Sequence, residues 1–356
     1  MIWSAAMTSP NASRLGVLLL NLGTPSGTDF WSVRRYLKEF LWDARVIEPP
    51  PSRALWWLIL NGIILTKRPF SSGKAYKGIW NNELNESPLL TVTREQTRKL
   101  FEAFSAKHSA DVVFDFAMRY GEPNTPDAIR RMSEAGCERI LIFPLYPQYA
   151  AATTATANDQ AFRGLMKLRR QPAIRTVPAY YDHPLYMEAL AGSVRRHLEA
   201  RTAEGAPAPQ RILCSYHGLP ERYVASGDPY ADQCRATTRL LAEALGGPEG
   251  WVESAFQSRF GKEEWVKPYT VERVAELARS GATDIAILAP AFSADCVETL
   301  EEINEEIREA FLHAGGQRFD YIPCLNAEDA HIAALLAVVE REMAGWLPEA
   351  ETPRVA

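Results

Sequence analysis

Short apolar runs alternate with amphipathic stretches along most of the chain. Leu15–Leu22, Val112–Met118, Arg139–Pro144, Arg211–Tyr216, Val252–Gln257 and Ile285–Pro290 read as buried strands. Between them Pro126–Ala135, Pro184–Thr202, Tyr230–Leu245 and Val271–Ser280 repeat their apolar residues at helical spacing. Strands that alternate with helices in this way predict an α/β protein built on mainly parallel, doubly wound sheets.

The pattern also echoes itself. Leu15–Pro25 ends in Leu-Gly-Thr-Pro and Arg211–Pro220 ends in His-Gly-Leu-Pro; Phe116-Ala-Met-Arg-Tyr-Gly121 is matched by Phe256-Gln-Ser-Arg-Phe-Gly261. Each of the latter pair leads through a helix ending in glycine, Gly136 or Gly281, to an apolar strand that reaches a proline, Pro144 or Pro290. Two similar Rossmann-like halves are therefore expected. An N-terminal extension covers residues 1–14, an α/β domain 15–150, a connecting helical region 151–210, a second α/β domain 211–325, and a closing helix with its tail 326–356. The closing helix is expected around Ala327–Trp346.

Length and composition exclude several classes without altering this picture. The chain has 356 residues, of which 47% are hydrophobic and 23% charged, the balance of a globular protein with room for two domains. With 39 Lys and Arg against 44 Asp and Glu, the net charge of -5 lacks the basic footprint of a nucleic-acid binder. The five cysteines form no CxxC pair, which argues against a zinc ribbon or a disulfide framework and suits a reducing, cytoplasmic setting. Residues 1–13 lack the basic-then-apolar order of a signal peptide, and Met7 offers an alternative start. No apolar run is long enough to cross a bilayer. One segment qualifies this: Leu55-Trp-Trp-Leu-Ile-Leu60, after Pro49–Pro51, runs on to Ile63–Leu65 and then Lys67-Arg68. A core helix, a pocket lip and a surface lying in a membrane interface all fit it.

Ligands of open parallel sheets bind beyond the carboxyl ends of the strands. The residues there include Asn21–Pro25, Arg119-Tyr-Gly121, Tyr146–Tyr149, His217–Pro220, Ser258–Gly261 and Phe292–Asp295, with no GxGxxG or Walker loop for a nucleotide. Of the six histidines, His217 alone ends a strand and precedes a forced turn. Farther on, Asp295, Glu298, Glu302, Glu306 and Glu309 fall on one stripe of a helix, opposite Val297, Leu300, Ile303, Ile307 and Phe311. A solvated amphipathic helix and a row of carboxylates passing protons or cations both account for the stripe. With His217 such a row would form an N/O site suited to a divalent transition metal.

These segments closely resemble the ferrochelatase family. Ser215-Tyr-His-Gly-Leu-Pro220 with Gly227-Asp-Pro-Tyr230 is similar to its histidine motif, and Phe292–Glu302 to its acidic motif. Phe256–Gly261 with Trp265, Asn21–Pro25, Met118-Arg-Tyr120 and Tyr146–Thr154 match it in order from about Leu15 to Leu325. The resemblance implies insertion of Fe2+ into protoporphyrin IX to form protoheme, the last step of haem biosynthesis, catalysed by a metal-inserting lyase with its cleft between two doubly wound domains. It assigns His217 and Glu298 as catalytic and metal-handling, and Asp295 and Glu302 to an acidic path on a π-distorted helix. Leu22, Arg119, Tyr120, Tyr149, Trp265 and Phe292 fall to the porphyrin, and Trp56 and Trp57 to a lip that meets the membrane peripherally. Iron is a substrate here and no cofactor is expected. Relatives with an iron–sulfur cluster carry cysteines where this chain has Ala150–Ala152 and a cysteine-free stretch after Cys324, so no cluster is expected, since one needs four thiolates. Leu22 stands where coproporphyrin-using relatives have tyrosine, which favours protoporphyrin. A chelatase for coproporphyrin III, one for cobalt and sirohydrochlorin, and a non-catalytic haem or porphyrin carrier are the competing readings.

Overall fold

The segment Leu15–Leu20 has no polar side chain to offer to water, so a strand made from it must be covered on both faces. It forms the middle of β2 (Arg14–Gly23), buried along nearly its whole length. The computed structural model describes residues 2–4, 14–48 and 52–347. Parallel to β2 on its two sides run β3 (Val112–Tyr120) and β4 (Cys137–Pro144), and β5 (Ala173–Thr176) continues the sheet beyond β4. On the far side of β3, β1 (Trp3–Ser4) adds a short antiparallel edge. A second, wholly parallel sheet contains β6 (Arg211–His217), β7 (Val252–Gln257), β8 (Asp284–Leu288) and β9 (Arg318–Tyr321) in the order β7-β6-β8-β9.

The internal echo has a topological counterpart. Omitting β1, the first sheet runs β3-β2-β4-β5, so in both sheets the first strand is central, the second lies on one side, and the third and fourth follow on the other. The expected strands lie where the apolar runs predicted them. β1, β5 and β9 have four residues or fewer and no continuous apolar run, so periodicity could not mark them. Two of these strands shift the expected boundaries. β5 falls inside the region 151–210 that was read as helical connection, yet it pairs with β4, so the first sheet draws on chain beyond Ala150. β1 pairs Trp3 with Phe114 inside the stretch read as an extension, while the alternative start Met7 lies outside the described residues.

One core joins the sheets. Leu19 and Phe114 of the first sheet belong to the same buried cluster as Ile212 and Cys214 of the second, with Tyr186 and Leu335 from the helices Pro184–Ala203 and Asp329–Glu342 between them. The closing helix thus appears as expected, shorter than Ala327–Trp346, packed on Pro184–Ala203 and on Pro88–Lys107 from the first half. This shared core holds the strand ends of the two halves in fixed opposition.

Among the described residues three helical segments depart from the α-period: a π-turn at Ala151–Ala155 opens the helix Thr156–Leu165, and the other two border the site. Arg53–Ile59 passes through a π-turn, Leu60–Ile64, into Leu65–Ile79. Its inner face buries Trp56, Leu60 and Leu65; its outer face exposes Leu55, Trp57, Leu58 and Ile63. One face of this segment is therefore core and the other is exposed, and the prolines that precede it lie outside the described residues. The acidic helix is π-helical over Glu298–Ile307 and α-helical over Arg308–His313, with Ile303, Ile307 and Phe311 in the core. π-Turns are rare and occur frequently at functional sites. Among the described residues no helix is long and apolar enough to cross a membrane.

Candidate active site

β6 ends at His217, and the chain turns away at once through Gly218. The turn requires glycine, because a Cβ at Gly218 would lie 2.7 Å from the Gln257 carbonyl and 2.9 Å from the Trp265 ring. His217 Nδ1 is 2.7 Å from the Gly218 carbonyl oxygen. A carbonyl only accepts, so Nδ1 carries a proton, and in the neutral tautomer this selects, the lone pair is on Nε2. Nε2 has no hydrogen-bond partner among the described residues, and the imidazole faces a cavity of about 840 Å³.

The opposite chemistry comes from the acidic helix, whose Glu298, Glu301, Glu302 and Glu306 line the same cavity. Burial raises the Glu302 carboxyl, against the smaller lowering effects of the Ser258 hydroxyl, the charge His217 carries when protonated, and the Gln257 amide. Glu301 is raised to about 7, first by burial and then by repulsion from Glu306, Glu305, Glu302 and Glu298. The row ends in solvent at Glu305, Glu306 and Glu309. From the first half, Tyr36 and Tyr76 close the cavity; burial raises both phenols well above their ordinary value, and the Glu298 charge adds to it.

The remaining walls are largely apolar. Leu22, Phe292, Trp265, Ile59, Leu89 and Trp56 contribute to them. The size and lining are those of a site for a large apolar ligand with a few polar anchors. At the mouth, Arg68 stacks over Phe260 at 4.9 Å. Burial alone lowers its pKa, and no carboxylate pairs with it among the described residues. Nearby Arg222 crosses between the halves to Glu48 and also pairs with Glu263.

Of the residues expected at the site, His217, Glu298, Glu302, Leu22, Trp265, Phe292 and Trp56 line the cavity. The others lie behind its wall or outside it. Asp295 precedes the π-helix and is spent on structure: its carboxylate accepts from Tyr321 Oη at 2.5 Å, Asn326 Nδ2 at 2.7 Å and Thr299 Oγ1 at 3.1 Å. The even stripe read at α-helical spacing thus loses its first member, because Asp295 is not yet in the helix. Arg119 and Tyr120 are buried and converge on Asp43, which Thr156 also binds. Burial pushes the Asp43 carboxyl up, but these donors and the Arg45 backbone outweigh it and leave it lowered. Tyr149 is half-buried, with its backbone N–H bonded to Gln233. Trp57 faces solvent, whereas Trp56 points inward with its indole N–H on the Leu41 carbonyl, so the pair does not form a common outer lip. Arg68, Glu301, Tyr36 and Tyr76 were not foreseen. Only Arg68 carried a signal, as a cation directly after an apolar run.

Comparisons with known proteins agree with this geometry. The ferrochelatase family model matches residues 14–343. A ferrochelatase of Rhodobacter capsulatus is 58% identical over 336 residues, covering 94% of each chain. One of Rhizobium meliloti is 54% identical over 334 residues, covering 94% of this chain and 96% of its own. The solved structure of SirB from Bacillus subtilis with Fe3+ shares the fold at 14% identity and a TM-score of 0.52, over 94% of this chain and 97% of that one. A match that spans both sheets, the histidine turn and the acidic helix places this chain in the ferrochelatase family.

Proposed function

We propose that the chain inserts Fe2+ into protoporphyrin IX to form protoheme. The observation that carries this reading is the unpartnered Nε2 of His217 facing a row of carboxylates inside an apolar cavity of about 840 Å³. Insertion forms iron–nitrogen bonds, releases two pyrrole protons, and strips water from the incoming ion. A neutral imidazole accepts the first proton at Nε2, and its Nδ1–H bond to Gly218 stabilises the cation that results. Glu298 and Glu302 offer the next acceptors, and Glu301 and Glu306 continue the row toward solvent. The same groups present the nitrogen and oxygen donors that Fe2+ accepts while it loses water. Leu22, Phe292 and Trp265 take up the macrocycle, and Arg68 receives a propionate. Asp295, Arg119, Tyr120 and Tyr149 act from behind the wall rather than on the ring.

No iron–sulfur cluster belongs to this reading: the five cysteines are buried and free, and alanines occupy residues 150–152. The exposed Leu55, Trp57, Leu58 and Ile63 beside Lys67 suit peripheral contact with the inner face of a membrane, where an apolar substrate is delivered. The two sheets, each with the strand ends that supply one wall, are read as the two domains.

The test is anaerobic mixing of the pure protein with Fe2+ and protoporphyrin IX, with coproporphyrin III in parallel. Metallated spectra should form with the former. His217→Ala and Glu298→Gln should each lower kcat strongly while the porphyrin still binds, and the double variant should be scarcely worse than either. Glu309→Gln, in solvent, should be silent. Near-normal turnover by His217→Ala would overturn the assignment, and porphyrin binding without turnover by the unmodified protein would make it a carrier.

A further inference from the structure

Gln257 ends β7 in register with His217. Its backbone carbonyl accepts the Gly218 N–H at 2.7 Å, which pins the histidine turn. Its side chain is only 3% exposed and is no part of the cavity wall. Oε1 accepts from Ser215 Oγ at 2.7 Å, and that hydroxyl lies 2.9 Å from Thr270 Oγ1. The amide is thereby oriented with Nε2 toward the acidic helix. Nε2 donates to the Glu298 carbonyl at 2.8 Å and to Glu302 Oε2 at 3.0 Å. Turned the other way, the amide would set oxygen against two acceptors. This amide ties the first carbonyl of the π-helix to the sheet.

We propose that Gln257 is a positioning residue for metal insertion, setting the spacing between the His217 imidazole and the carboxylates of Glu298 and Glu302. The imidazole stands on a strand end and the carboxylates on a helix that follows another strand, so nothing covalent fixes their separation. Gln257 bonds to both elements, through its backbone to the Gly218 N–H beside the imidazole and through its amide to the Glu298 carbonyl and the Glu302 carboxylate. Ser258 Oγ, 2.6 Å from the same Glu302 oxygen, restrains that carboxylate but makes no bond to the Glu298 carbonyl, so it cannot replace the link. Partners of this kind, which orient metal-handling groups without touching the metal, typically matter 10- to 100-fold.

The inference rests on the function proposed above. Gln257→Glu keeps the shape but turns both donations into oxygen–oxygen contacts; Gln257→Met keeps the length and removes them without adding charge. Turnover is normalised to folded protein by porphyrin-binding stoichiometry. Both variants should lower kcat by about 10- to 100-fold and raise the KM for the metal ion, read with Fe2+ and with Zn2+. The KM for protoporphyrin should stay within about twofold, since no wall residue changes. Ser215→Ala added to Gln257→Met should cost nothing further, because Ser215 acts through the amide. If the charge introduced by Gln257→Glu prevents folding, Gln257→Met decides. Normal kcat and metal KM in Gln257→Met overturn the inference, as does a porphyrin KM that rises in step with the metal KM. Failure of the unmodified protein to insert iron would instead fell the proposed function.

Discussion

His331 should make the fold acid-labile in a definite pH window. The imidazole is wholly buried in the closing helix, and burial lowers its pKa from the ordinary 6.5 to about 4, against the smaller opposing effect of its bond to the Asn326 carbonyl. Nδ1 donates that bond at 2.7 Å, and above about pH 4 the buried native ring stays neutral. The unfolded chain therefore binds a proton near pH 6.5 that the folded one refuses until about pH 4. Stability from this group is complete above pH 6.5 and declines as the pH falls, until the ring protonates in the native state as well. At about 1.4 kcal/mol per pH unit across that gap, the loss reaches about 3 kcal/mol. His331→Leu removes the titration at similar volume and forfeits one hydrogen bond, worth about 1 kcal/mol. The variant should be the less stable protein at pH 7.5 and the more stable one at pH 4.5, with the curves crossing at about pH 6. Urea unfolding followed by tryptophan fluorescence across that range supplies the two curves. Other titrating groups are common to both proteins, so the difference isolates His331. Curves that stay parallel from pH 7.5 to 4.5 would refute the reasoning.

Three further outcomes are expected. Trp56→Ala should destabilise the protein by about 3 kcal/mol or more, as loss of a buried aromatic does, whereas Trp57→Ser should leave stability intact and weaken partition onto anionic vesicles; unchanged partition would remove Trp57 from any membrane contact. Arg68→Leu should raise the KM for protoporphyrin about tenfold with kcat retained, the loss of one charge-assisted hydrogen bond, and the gap should vanish with the dimethyl ester of the substrate; an equal loss with the ester would deny Arg68 a propionate. Protein purified without air should lack acid-labile sulfide, and a stoichiometric amount would contradict the cluster-free reading.

Much of this architecture was legible in order along the chain. Runs such as Leu15–Leu20 and Ile285–Leu288 are apolar throughout because both faces are covered, and burial of that kind writes itself into consecutive residues. The position of His217 was legible for a related reason, since a polar residue that ends such a strand and precedes a glycine turn stands at the carboxyl edge where ligands bind. The acidic run was equally visible. What it could not reveal was which members reach the cavity: Asp295 and Glu298 are three residues apart, yet Asp295 is consumed by Tyr321, Thr299 and Asn326 while Glu298 stays open. Tyr321 and Asn326 lie well beyond the acidic motif, and no local spacing encodes them. The same holds for Trp56 and Trp57, adjacent in sequence but on opposite faces of one helix, and for Tyr120, whose hydroxyl is claimed by Asp43 from another helix end. The sequence alone determined which segments are buried and which residues could carry chemistry, because burial and turn geometry act through neighbours in the chain. Only the tertiary structure decided which of those residues face the ligand, because a hydrogen bond made across 26 or 77 positions withdraws a side chain from the site without leaving any mark beside it.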